Sequence, residues 1–394
     1  MKKLETLAEK YFVFNVLFFV LIYIYRICIS IVSFIFRIFP IDDKKIVFCN
    51  MKGKRYGDNP KYICDEIIKR GLDYQCVWLL RNCEEVDSAN IIVKKYSLIR
   101  NLYHLCTAKI WVDSNTKYLG ILKRKKQIYI QTWHGSYGLK KIGMDLPGDY
   151  LGKEFIKYNS KIADIMVSNS KQCSEIFRRA FWYNGKIIEK GSPRNDVFNE
   201  SNDKFYQKVS NYFHCEGKKM VLYAPTYRSD LSLDAFDLDF QRLRANLEKK
   251  FGNEWVVLVR LHPNNIELAS QYITYDQNII NATDYDVMQE LLVACDILIT
   301  DYSSCMFDFV TKPKICMLYA SDIMDYGNER GWYFDLKDLP FPLSSNNDEL
   351  EQNIENFSYD VYRKKIYDLH EQVGLNETGN ASGAVVDYIE ECEK

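Results

Sequence analysis

Short apolar runs, each bounded by polar turns, recur through most of the chain: KIVFCN (45–50), CVWLL (76–80), KIWVDSN (109–115), QIYIQTW (127–133), DIMVSNS (164–170) and KIIEKGS (186–192). After a polar interval come KMVLYAPT (219–226), WVVLVRLHP (255–263), DILITDYSS (296–304) and KICMLYAS (314–321). Their length and β-branched and aromatic content predict buried strands. Between them, PKYICDEIIKRG (60–71), SKQCSEIFRRAF (170–181) and DVMQELLVAC (286–295) read as helices. Strand alternating with helix predicts parallel sheets in an α/β fold. The two series predict two doubly wound, Rossmann-like domains, 41–205 and 206–394, joined by the polar stretch 199–218. In such sheets ligands sit beyond the carboxyl ends of the strands, so a cleft between facing domains is the expected site.

The first forty residues follow another pattern. Tyr11 to Phe39 is almost wholly apolar and aromatic, broken by Asn15, Arg26 and Arg37. No small-residue cleavage site follows, which argues against a signal peptide. Residues 1–40 therefore predict a membrane attachment, either a single spanning anchor or a helix lying in the interface, over the alternative of a buried core helix.

Composition narrows the classes. Fifty-two Lys+Arg balance 53 Asp+Glu, leaving a formal charge of −1 and no global attraction to nucleic acid. Hydrophobic residues at 47% and charged residues at 27% are ordinary for a globular protein, against a disordered or polytopic chain. Twelve scattered Cys without a CxxC pair predict reduced thiols in a cytosolic compartment rather than disulfides or zinc.

The polar residues at strand ends carry the candidate chemistry. His134-Gly135 follows QIYIQTW; imidazole suits proton transfer near neutral pH, and the alternative is a packed or surface histidine. Arg260 and His262 share one side of the strand before Pro263, where both can meet an anion, or where Pro263 merely ends the strand. Asp301-Tyr302-Ser303-Ser304 precedes the helical stretch MFDFV, suiting either a phosphate cradle or an ordinary N-cap; Asp308 lies one turn on. Arg194 in GSPRND and Arg228 in APTYR each follow a strand, as a diphosphate contact or a solvated surface group. Arg330 beside Trp332 and Tyr333 adds a further cation. Lys140 and Lys141, just after the His134 loop, read as phosphate contacts or a solvated face. Asp237-Leu238-Asp239 reads better as a solvated helix start than as a metal pair, and no P-loop or GxGxxG stands in a strand–turn–helix position.

In combination, GKRYGDNPKY (53–62), TWHG (132–135), GSPRND (191–196), YAPTYR (223–228), RLHP (260–263), LITDYSSCMFDF (298–309), KPKICMLY (312–319) and RGWYFD (330–335) resemble the CDP-glycerol glycerophosphotransferase family. The resemblance implies a glycosyltransferase-B-like architecture and transfer of glycerol phosphate, or a related alditol phosphate, from a CDP-alditol to a hydroxyl of a lipid-linked (polyprenyl diphosphate) saccharide, with release of CMP. Teichoic-acid or capsule-type polymer synthesis would follow, at the cell membrane with the catalytic domains on the cytoplasmic side. By motif, His134 is the expected general base and His262 its partner at the donor diphosphate. Ser303 and Ser304 would hold the diphosphate and Asp308 the ribose, with Arg194, Thr226, Arg228 and Arg260 as further donor contacts. Lys54, Tyr56, Asp58 and Asn59 are the expected acceptor-side residues. The scheme requires no cofactor and no metal site; Mg²⁺ is allowed as a substrate counterion. A nucleotide-sugar glycosyltransferase of the same fold is the rival enzyme, and an inactive membrane scaffold the rival non-enzyme.

Overall fold

The computed structural model describes residues 12–82, 86, 90–146, 150–226, 237–261, 273–323 and 331–392, with side chains from residue 16 onward. Packing separates two compact units, Met1–Gly135 with Ile142–Arg194 and Asn376–Lys394, and Ser136–Lys141 with Asn195–Leu375.

Among the described residues, unit 1 holds seven strands: β1 (Asp42–Cys49), β2 (Gln75–Leu80), β3 (Ile91–Lys95), β4 (Ala108–Asp113), β5 (Ile128–Gln131), β6 (Ile165–Ser168) and β7 (Lys186–Glu189). They lie in the order β3-β2-β1-β4-β5-β6-β7, every pair parallel. The order reverses direction at β1, which is the doubly wound pattern. Alternation along β1 sends Ile46 and Phe48 to one face and Val47 and Cys49 to the other. Both faces are buried, so the strands read as continuous apolar runs. Trp78 fills the first face and Trp111 the second; each indole N–H is satisfied, on Cys64 Sγ at 3.3 Å and on the Leu105 carbonyl at 2.7 Å.

Unit 2 holds β8 (Lys219–Tyr223), β9 (Trp255–Val259), β10 (Ile279–Asn281), β11 (Ile297–Thr300), β12 (Ile315–Tyr319) and β13 (Leu343–Ser344), in the order β10-β9-β8-β11-β12-β13 and again parallel throughout. All ten runs expected as strands are strands. The short strands β3, β10 and β13 were not expected, because IIVKK, IIN and LS are too short or too charged to stand out.

Three expectations about organisation need correction. The polar stretch 199–218 is not a linker: Asn202–Phe213 is a helix whose Phe205, Val209 and Phe213 are buried in unit 2. The chain passes between units at Arg194/Asn195, not at 205/206. Nor does the second unit run to the C-terminus. The helix Tyr359–Val373 stops at Gly374 (φ +59°), and Asn376–Lys394 belongs to unit 1. There the helix Ala381–Glu391 adds Val385, Val386 and Ile389 to the core beside Ile63 and Ile67, and Arg70 binds Asp387 at 2.6 Å and Glu390 at 3.0 Å.

The N-terminal apolar segment is a helix, Phe12–Ile35. It lies along unit 1 on one side. Ser30 Oγ donates to the Gly120 carbonyl (2.9 Å), Arg26 stands over the Tyr158 ring (5.5 Å) and Phe36 meets Tyr103 edge-on (5.7 Å). Gly120 (φ +92°) makes this approach possible, since a Cβ there would stand 2.4 Å from the Arg26 carbonyl oxygen.

All described cysteines are free thiols, and only Cys28 and Cys392 among them are exposed.

Candidate active site

His134 sits in a tight turn leaving β5. The turn is strained: Trp133 has φ +54°, an uncommon conformation for a large side chain. Each of its carbonyls is captured by a side chain from a distant part of unit 1. Asn59 Nδ2 donates to Thr132 O (3.3 Å) and Trp133 O (3.2 Å), and Arg194 Nη1 donates to His134 O (2.9 Å). The Trp133 amide donates to Gln131 Oε1 (2.9 Å). Gly135 leaves room for the Trp133 indole, whose Nε1 would stand 3.1 Å from a Cβ at that position.

The imidazole is half-buried and stacked on Trp133, with ring centroids 4.3 Å apart at 28°. Its Nδ1 lies 2.7 Å from the Ser114 carbonyl oxygen. A carbonyl only accepts, so Nδ1 is the donor, and in the neutral ring Nε2 holds the lone pair. This is the tautomer a base needs.

Ser114 is itself fixed. Its hydroxyl donates to Asn50 Oδ1 (2.7 Å) and accepts from the Met51 amide (3.2 Å). Beneath it lies a buried ion pair, Asp113 Oδ2 with Lys117 Nζ at 2.6 Å, both side chains under a tenth exposed. Asp113 Oδ1 also accepts from the Asn115 amide (2.8 Å), closing a tight turn around Ser114. Burial pushes the Asp113 carboxyl up from its ordinary value while Lys117 pulls it down, and burial likewise raises the neighbouring Cys49 thiol. The Tyr129 hydroxyl donates to the Asn115 carbonyl (3.1 Å) and accepts from Gln131 Nε2 (2.8 Å). These supports were not singled out in the sequence. The only signal for them is the polar run DSN at the end of an apolar strand.

In unit 2 the loops after β8 and β11 are joined. The Thr226 amide donates to both oxygens of the buried Asp301 (2.8 and 3.0 Å), and its hydroxyl donates to Oδ1 (2.6 Å). Thr300 Oγ1 donates to the Ala224 carbonyl (2.7 Å). This lattice leads into Ser303 and Ser304, both half-buried, ahead of the short helix Cys305–Phe309. Ser304 makes no side-chain cap, whereas Ser303 Oγ accepts from the Cys305 amide (3.4 Å), so the N-cap alternative holds in part, through Ser303.

Other expected residues take different places. Asp308 is buried and accepts from Asn195 Nδ2 at 3.1 Å. Arg260 Nη1 donates to the carbonyls of Ala282 (3.2 Å) and Tyr285. Arg194 is buried, with Nη1 also on Asp58 Oδ1 at 2.9 Å. The Tyr56 hydroxyl donates to Asp65 Oδ1 (2.8 Å), while Lys54 is exposed. Asn59 reaches the 132–133 carbonyls rather than capping its own helix, Asp58–Lys69. Lys140 and Lys141 pair with Trp332 and Gly331 through the backbone. Arg228, His262 and Arg330 lie outside the described residues. No group of three or more His, Cys, Asp or Glu suited to a metal occurs among the described residues.

A strained turn braced by remote side chains presents the His134 imidazole, and a hydroxyl-rich loop stands at the strand ends of a second parallel sheet. The sequence profile of the CDP-glycerol:poly(glycerophosphate) glycerophosphotransferase family matches residues 31–391. The chain belongs to this family and is a transferase of that class.

It is 31% identical over 385 residues to a teichoic acid poly(glycerol phosphate) polymerase of Bacillus spizizenii, spanning 92% of this chain and 96% of that protein. A polymerase of the same description from Staphylococcus epidermidis is 31% identical over 373 residues, 89% of this chain but only about half (51%) of that protein. Among solved structures, a histidine-to-asparagine variant of the wall teichoic acid polymerase TagF soaked with CDPG superposes with a TM-score of 0.78 at 29% identity, covering 89% of each chain.

Proposed function

We propose that the protein moves glycerol phosphate from CDP-glycerol to a terminal hydroxyl of a lipid-linked saccharide or growing polymer, releasing CMP. The observation that supports this reading is the His134 turn after β5, where Nδ1 is engaged by the Ser114 carbonyl and Nε2 is left to act as the base. In the proposed step, Nε2 takes the proton of the acceptor hydroxyl as its oxygen attacks the phosphorus bearing glycerol. The new P–O bond forms, the bond from that phosphorus to the bridging oxygen breaks, and CMP leaves with that oxygen. Phosphoryl transfer of this kind depends mainly on positioning and on stabilising charge. Ser303, Ser304 and the Thr226–Asp301 loop are assigned to the donor diphosphate, and His262 to the charge on departing CMP. The scheme routes no step through a metal and treats Mg²⁺ as a counterion of the diphosphate.

Full-length protein given CDP-glycerol and a synthetic lipid-linked disaccharide is expected to release CMP and add glycerol phosphate units, read by mass spectrometry. A glycoside product from a nucleotide sugar would favour the glycosyltransferase rival; ribitol phosphate incorporated from CDP-ribitol in preference would change the donor.

We further propose that the helix Phe12–Ile35 attaches the enzyme to the cytoplasmic face of the cell membrane by lying in the interface. The apolar stretch Val16–Ile38 has the length and mean hydropathy (2.3) to cross a bilayer. It is nevertheless tied to unit 1 from Phe19, on Tyr150, to Arg37, on the Leu122 carbonyl, about 27 Å of helix at 1.5 Å per residue. A helix held along that length by a folded unit is oriented to immerse one face. That face is exposed and apolar, with Tyr23, Ile24, Ile31, Phe34 and Ile38 each at least half exposed, and Lys125 and Lys126 stand exposed nearby for anionic head groups. Ile31→Asp, Phe34→Asp and Ile38→Asp together are expected to move the protein from pellet to supernatant in sedimentation with phosphatidylglycerol vesicles. Undiminished co-sedimentation would show that another surface attaches it.

A further inference from the structure

Three residues that the motifs assign to substrate, Arg194 at the donor and Asp58 and Asn59 at the acceptor, converge instead on the backbone of the His134 turn. We propose that they are positioning residues: they hold the base in place and fix its tautomer, and do not contact the substrate phosphates. The inference deepens the reading of His134 as the base and rests on it for its catalytic meaning.

The three residues also bond to one another. Arg194 Nη1 bridges His134 O and Asp58 Oδ1, both at 2.9 Å. The Arg194 amide donates to Asn59 Oδ1 (3.1 Å), orienting that amide so that Nδ2 faces Thr132 O and Trp133 O. Asp58, with φ +58°, turns its carboxylate back to accept from the Asn59 amide (2.7 Å) as well as from Arg194. Arg194 and Asn59 are almost wholly buried. An arginine kept for a soluble diphosphate would gain nothing from burial against a carboxylate, since Asp58 neutralises the charge that would attract the ligand.

What the cluster does accomplish is to hold a turn that the backbone alone disfavours. Trp133 in the left-handed region is strained and persists only where its surroundings impose it. If the clamp opens, Trp133 can relax to negative φ. The imidazole then leaves the Ser114 carbonyl, and Nδ1 and Nε2 become interchangeable sites for the proton. Loss of alignment by about 1 Å can cost about 10²-fold in rate.

The test uses full-length Arg194→Gln, Asn59→Ala and Asp58→Asn, with three readouts. Turnover with saturating CDP-glycerol is expected to fall about 10²-fold for Arg194→Gln and Asn59→Ala. The equilibrium Kd for CDP-glycerol, by calorimetry, is expected to stay within about twofold of wild type. A tenfold weaker Kd for Arg194→Gln would identify a donor contact and overturn the proposal. Nitrogen-15 NMR of the histidine rings, with His134 assigned by loss of its signals in His134→Ala, is expected to show Nδ1–H in the wild type and a tautomer mixture in Arg194→Gln and Asn59→Ala. An unchanged ring signal in Arg194→Gln and Asn59→Ala would also overturn it. Should Arg194→Gln fail to fold by thermal melt, Asn59→Ala, which removes the donor to Thr132 O and Trp133 O, carries the same ring measurement, while Asp58→Asn, whose side-chain oxygen still accepts from Arg194, is expected to keep the wild-type ring signal. The Kd and ring readouts hold whether or not His134 is the base. Normal turnover of His134→Ala would refute that separate reading alone.

Discussion

His134→Asn loses transfer by about 10²–10⁴-fold while the protein keeps its fold and its affinity for CDP-glycerol. The asparagine amide nitrogen falls near the position of Nδ1 and can still donate to the Ser114 carbonyl, so the turn keeps its closing hydrogen bond. Only Nε2, the group with the lone pair, is removed. His134→Ala removes both, and its additional loss beyond His134→Asn measures what the Ser114 contact contributes to order. CMP release with lipid-linked acceptor is the measurement. Turnover by His134→Asn within about threefold of wild type would eliminate the imidazole as base.

The second large effect falls on stability. Lys117→Met leaves the Asp113 carboxyl wholly buried with its ionic partner gone, and is expected to destabilise the protein by about 3–5 kcal/mol. Breaking a buried pair costs this much because the surviving charge must either stay desolvated or take up a proton. Asp113→Asn with Lys117→Met removes both charges but keeps the side-chain oxygen that receives the Asn115 amide. The double variant is expected to recover most of the loss. Urea unfolding followed by circular dichroism compares the three proteins. A single variant within about 1 kcal/mol of wild type, or a double variant no better than the single, would show that the pair bears little on the 113–118 turn.

The expected strands were legible because a parallel sheet covered on both faces demands continuous apolar runs, and KIVFCN or WVVLV can satisfy little else. The position of His134 was legible for the same reason: a polar residue directly after such a run stands at a carboxyl strand end. The roles of Arg194, Asp58 and Asn59 were not. Nothing in GSPRND distinguishes an arginine aimed at a ligand from one buried against a carboxylate, because that choice depends on partners 136 and 60 residues away. Ser114 acts through its carbonyl, which no side-chain pattern encodes.

Local sequence thus determined the element types, the α/β class with parallel sheets, the apolar N-terminal helix and the place of the candidate base, all of which depend on neighbours within a few positions. The tertiary structure alone decided that the last nineteen residues, Asn376–Lys394, return to unit 1, that the N-terminal helix lies along that unit, and that a strained turn brings His134 Nδ1 onto the Ser114 carbonyl. Those outcomes come from burial and hydrogen bonding between segments remote in the chain. Their free energy depends on which surfaces meet, and a linear pattern carries no record of that.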